Sequence, residues 1–150
     1  MNRLIVLILM GTILLFSQCK KEEENWTPCT DCELEVWVGT FDGSGVYYQE
    51  VDSTSKIDVA TKVIIENTNN TMLKVNVNSD NLYSSISFVN KNNNLSYIEL
   101  AGSNSSLSLT LTKKDNDYRL SGTSKKYHYD GDTLLVIDYS LSFEVLKVIE

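Results

Sequence analysis

From Leu34 onward, apolar and polar residues alternate with a period of two, the repeat of a strand with one buried face. Leu135, Ile137, Tyr139, Leu141, Phe143 and Val145 interleave with Val136, Asp138, Ser140, Ser142 and Glu144. Leu107, Leu109 and Leu111 alternate with serines and threonines in the same way. A helix would scatter these leucines around its circumference. The same test gives one-sided faces at Ile57-Val59-Val63-Ile65, at Leu73-Val75-Val77 and at Ile86-Phe88, and less regular strands over residues 34–41, 46–51, 95–100 and 118–129.

Between these runs sit Asp42-Gly43, Asn67 to Asn70, Asn78 to Asn81, Asn90 to Asn94, Gly102-Ser103-Asn104, Asp115-Asn116-Asp117 and Asp130-Gly131. Asn, Asp and Gly tolerate left-handed backbone angles and therefore mark tight hairpins. No interval is long enough for a helical crossover between parallel strands. The pattern predicts an all-β domain, an antiparallel meander of eight to nine strands over residues 34–150. Closure into a small up-and-down barrel removes the exposed edges, and a β-sandwich is the alternative. Trp37-Val38-Gly39-Thr40-Phe41 resembles the Trp-x-Gly-Thr opening of the lipocalin-like (calycin) barrels, which implies a barrel whose mouth takes a ligand.

The first 18 residues follow a different rule. Arg3 precedes an apolar run over residues 4–16, too short to cross about 30 Å of hydrocarbon and suited to the core of a signal peptide. The run ends at Leu15-Phe16-Ser17-Gln18-Cys19, which resembles the processing site of bacterial lipoprotein precursors. That resemblance implies acylation of Cys19 and attachment to a membrane through the acyl chains. Lys20, Lys21, Glu22, Glu23 and Glu24 follow, similar to the export signal of Bacteroidota surface lipoproteins, which implies display on the outer face of the outer membrane. Residues 1–18 are thus expected to be a signal peptide and residues 19–33 a polar tether.

With Cys19 assigned to lipid, three cysteines become a pair, Cys29 and Cys32. Outside the cytoplasm the default is a disulfide. A redox centre would need a thiolate stabilised by a cation or a helix N-terminus, whereas Asp31 and Glu33 are acidic. A zinc site would need four ligands, and the chain has one histidine, His128.

Charge and composition narrow the function. Thirteen basic residues against 20 acidic ones, a net charge of −7, disfavour nucleic acid, whose phosphates require a cationic surface. His128 lacks a G-x-S-x-G nucleophile, so catalysis is not expected. Asp115 with Asp117, and Asp130 with Asp132, fall short of the six or more oxygens of a calcium loop. Neither a metal nor another cofactor is expected. Asp52-Ser53-Thr54 and Asp132-Thr133-Leu134 resemble the short O-glycosylation sites of exported Bacteroidota proteins, which implicates Ser53 and Thr133. Trp37, Tyr47, Tyr127 and Tyr129 are the candidate recognition residues, since tyrosine and tryptophan join an apolar body to a polar tip. The expected function is non-enzymatic binding of a small ligand or a protein partner. The alternatives are a structural subunit of an outer-membrane assembly and a redox or metal protein using Cys29 and Cys32.

Overall fold

The computed structural model describes residues 25–49, 56–90, 97–102, 104–131 and 134–149. Cys19, Lys20, Lys21, Glu22, Glu23, Glu24, Ser53 and Thr133 lie outside the described residues.

The described chain forms one antiparallel sheet of nine strands and a single helical turn. The elements are β1 (Thr27–Pro28), α1 (Leu34–Trp37), β2 (Gly39–Gln49), β3 (Lys56–Asn67), β4 (Met72–Ser79), β5 (Tyr83–Asn90), β6 (Tyr97–Ala101), β7 (Ser105–Lys114), β8 (Asp117–Asp130) and β9 (Leu134–Lys147). The ladder runs β1-β7-β8-β9-β2-β3-β4-β5, with β6 also on β7. The expected all-β meander is therefore present. The first long strand pairs with the last, so the sheet curls around its own core.

Closure is incomplete, which corrects the expected barrel. β5 pairs only with β4, and β6 only with β7, among the described residues. The curl instead brings the inner faces of distant strands into contact. Tyr83 of β5 meets Ser124 of β8 hydroxyl to hydroxyl at 2.6 Å, and Ser85 reaches the same hydroxyl at 3.2 Å.

Alternation locates the core where the strands have neighbours on both sides. Val59, Val63 and Ile65 of β3, Leu73, Val75 and Val77 of β4, Leu107, Leu109 and Leu111 of β7, and Leu141, Phe143 and Val145 of β9 are all buried. Asp80, Asn81 and Asp115 take positive φ in their turns, as does Gly131, in keeping with the turn chemistry of the sequence.

Three local expectations fail. Residues 34–37 form α1 rather than the start of a strand, because this segment crosses the lower end of the sheet, where its apolar side chains cap the core. Trp37 is fully buried there, and Leu34, Val36 and Val38 pack beside it. Asp42-Gly43 is not a turn, since β2 runs unbroken from Gly39 to Gln49 against both β3 and β9. Finally, Ile86 and Phe88 point outward, 57% and 51% exposed. The inward positions of β5 are Tyr83, Ser85, Ser87 and Val89, and the serines fit because β5 lies close over β8 at Ser124.

Candidate functional site

At the lower end the chain enters the domain through a clasp. Thr27 and Pro28 pair with Lys113 and Thr112 of β7, and the Cys29 amide donates to the Leu111 carbonyl at 3.0 Å. Cys29 and Cys32 form a disulfide, with Cys29 buried. Asp31 accepts a hydrogen bond from Lys113 Nζ at 2.7 Å. That bond, ahead of the lysine charge, holds the Asp31 carboxyl below its ordinary value. The Arg119 guanidinium lies 4.5 Å from the ring centre of Trp26, a cation–π contact on the outside of the sheet. Lys147 Nζ donates to the Val36 carbonyl at 2.6 Å, fastening α1 to β9, and burial pushes its pKa down.

At the upper end three tyrosines close the interior. Tyr47, Tyr83 and Tyr139 have ring centroids 5.8 to 6.4 Å apart, with Tyr83 edge-on to both others. Edge-to-face packing suits the aromatic quadrupole. Burial, followed by the charges of Tyr139 and Tyr83, raises the pKa of Tyr47. With Trp37 below and this cluster above, the interior is filled by side chains.

The four recognition candidates are consequently not brought together. Trp37 and Tyr47 belong to the packing at opposite ends. The Tyr127 hydroxyl donates to the carbonyls of Gly102 at 2.5 Å and Ser105 at 3.1 Å, which ties β8 to the β6–β7 turn. Tyr129 alone stands in solvent, 58% exposed.

Tyr129 belongs to a feature that the alternation does not disclose. Among the described residues the β8–β9 hairpin continues past its neighbours above Lys126 and Tyr139: β7 pairs with β8 as far as Lys126, and β2 with β9 as far as Tyr139. The register shifts at that point, with Lys126 opposite Tyr139 and Tyr127 opposite Ile137, so Asp138 is the extra residue of a bulge. Bulges bend a strand and re-aim its side chains. Tyr129 pairs with Leu135, and Tyr127 with Ile137, so the four share one face of the projecting arm. On the arm, His128 Nδ1 lies 2.6 Å from an Asp138 carboxylate oxygen.

An open groove of about 930 Å³ runs along the outside of β2, β3 and the β4–β5 turn. Its polar contacts are internal: Lys62 lies 3.5 Å from Asp42, and Asp80 accepts the Ala60 amide at 2.8 Å. Among the described residues no three His, Cys, Asp or Glu side chains converge as a metal site, and no helix is long and apolar enough to cross a membrane.

The chain matches no protein-family model and no curated protein.

Proposed function

We propose that this chain is a lipid-anchored, non-catalytic binding protein. Acyl chains on Cys19 hold it to the outer membrane, on the cell surface, and the β8–β9 arm engages a protein partner. The observation that carries the reading is the contrast between a filled interior and an exposed apolar arm, with Tyr129, Leu135 and Ile137 at 58%, 48% and 38% exposure. Exposed apolar clusters of this kind mark interaction surfaces. The packing of Trp37 and the three tyrosines leaves no room in the interior for the small ligand that a hollow barrel would take.

The geometry of attachment supports the same reading. Cys19 and Trp26 are seven positions apart, a reach of at most about 25 Å. The chain enters at the lower end, beside Lys113, while the arm projects from the upper end of β8. The anchor thus holds the capped end near the lipid and directs the arm away from it. The single histidine on this arm and the absence of a nucleophile motif in the sequence favour binding over catalysis.

Metabolic labelling with an alkyne fatty acid, combined with a photo-crosslinking residue at position 135 in intact cells, tests the reading. Wild-type chain should take up label that Cys19→Ala loses, and position 135 should give a discrete adduct that position 66, on the outside of β3 at the lower end, does not. An unlabelled wild-type chain rejects the anchor. The absence of an adduct at both 135 and 137 rejects the arm as a partner surface.

A further inference from the structure

Among the described residues the curled sheet is open between β5 and β6. These strands are consecutive and run in opposite directions, yet no ladder joins them among the described residues. Beside β5 lies an open slot of about 230 Å³, lined by Ile86, Ser87 and Phe88, by the end of β6 with Gly102, and by the first residues of β7, 105–107. Since β5 bonds β4 along one edge only, its remaining main-chain N–H and C=O groups point into the slot, as alternate residues of an antiparallel edge strand must.

Free edges are ordinarily blunted by charge, proline, a bulge or a covering segment. The outer edge of β7 follows that rule: β6 covers residues 106–110, and β1 covers Thr112 and Lys113. β5 does not. Tyr83–Asn90 contains no charged residue and no proline, and its ladder with β4 runs without a register shift. Two large apolar side chains of this strand, Ile86 and Phe88, are exposed, with Ser84 and Asn90 exposed on either side of them.

We infer that the seam is an acceptor for one extended peptide strand of a partner protein, which lies between β5 and β6 and completes the ring. The chemistry of the slot selects a strand. An acyl chain or a helix could cover Ile86 and Phe88, but an acyl chain has no main-chain groups and a helix has already bonded its own. A strand offers donors and acceptors along both edges, which is the basis of recognition by strand addition. It would lie antiparallel to one wall and parallel to the other, with an apolar residue on its outward face beside Ile86 and Phe88. The inference rests on the protein-partner reading above and adds to it a second contact, separate from the arm.

Hydrogen exchange of the full chain, followed residue by residue by NMR in detergent, tests it. The probe is a short peptide of alternating valine and threonine with lysine at each end, because recognition through the main chain requires only a matching alternation. In the free protein every second amide of β5 should exchange freely, and peptide should slow those amides at least about tenfold. The same peptide with alternate amides N-methylated should have no effect. Ile86→Lys should weaken the response at least about tenfold while the amides bonded to β4 stay protected. The proposal is overturned if the free-edge amides are already protected without peptide, which means that β5 and β6 close on each other. It is overturned equally by protection that grows with protein concentration, which makes the occupant a second copy, or by no slowing at saturating peptide. Loss of the crosslink at position 135 would leave these amides unaffected, so failure of the arm and failure of the seam are distinguishable.

Discussion

The ring of Phe143 occupies the space that a side chain on Gly122 would need: its Cζ lies 3.0 Å from where a Cβ would stand. Phe143 pairs with Gly122 on one side and with Gly45 on the other, so a large buried ring sits between two strands that carry no side chain at its level. At Gly122 a Cβ would also strike the Ser108 carbonyl oxygen, and at Gly45 it would stand 2.9 Å from the Ser142 carbonyl oxygen. Both obstacles are backbone and cannot rotate away. These two positions let the sheet curl tightly enough for its ends to approach.

Gly122→Ala should therefore destabilise the protein by about 1–3 kcal/mol, the usual range for overpacking a core. Urea denaturation provides the measurement. A change of less than about 0.5 kcal/mol, the scale of a neutral surface substitution, would mean that the strands at Gly122 separate without cost.

Leu135 and Leu141 occupy equivalent positions in the alternating pattern of β9, yet Leu141 is fully buried and Leu135 is 48% exposed. Leu141→Ala should cost about 2–5 kcal/mol through lost burial and the cavity left behind. Leu135→Ala should change stability by no more than about 0.5 kcal/mol. Equal losses in thermal or chemical denaturation would place the arm inside the cooperative fold and remove it as a free surface.

Asp31 provides a pH-dependent contact in the clasp. Its carboxyl is held below the ordinary value of 3.8, first by the hydrogen bond from Lys113. A lowered carboxyl pKa contributes stability that is fully present above the unfolded value and is lost as the pH falls through the folded one. The NMR titration of the Asp31 carboxyl should have its midpoint below 3.8, and Lys113→Ala should move it upward. An unchanged midpoint in the variant would separate the shift from Lys113.

The disulfide between Cys29 and Cys32 closes a very short loop, so its effect on the unfolded chain is modest, about 2 kcal/mol. Replacing both cysteines with serine should lower stability by about that amount. The strand amides of β2, β3 and β4 should keep their protection while the Cys29 amide, bonded to Leu111, loses its own. Global loss of protection in hydrogen exchange would show instead that the clasp is needed for the sheet to form.

The alternation identified most strands because a sheet with one buried face repeats every two residues, and Leu107, Leu109, Leu111, Leu141 and Val145 all point inward as the repeat requires. It misplaced Ile86 and Phe88 because a period of two locates two faces without stating which of them is inside. Among the candidate recognition residues, Trp37 and Tyr47 have side chains suited to recognition, but burial depends on where a strand meets the caps at the two ends. The projecting arm and the bulge at Asp138 had no separate signal, since pairing on either side of a hairpin is a property of the neighbouring strands.

Sequence alone determined the all-β class and the turns at Asp80, Asn81, Asp115 and Gly131, and made a bridge between Cys29 and Cys32 the default, since each depends on neighbours within a few positions. The tertiary structure decided that the ring stops at β5 and β6, that the interior is filled from Trp37 to the three tyrosines, and that Leu135 and Ile137 remain in solvent. Those outcomes depend on how far each strand extends beside its partners and how sharply Gly45 and Gly122 let the sheet curl, quantities set only when residues distant in the chain are brought together.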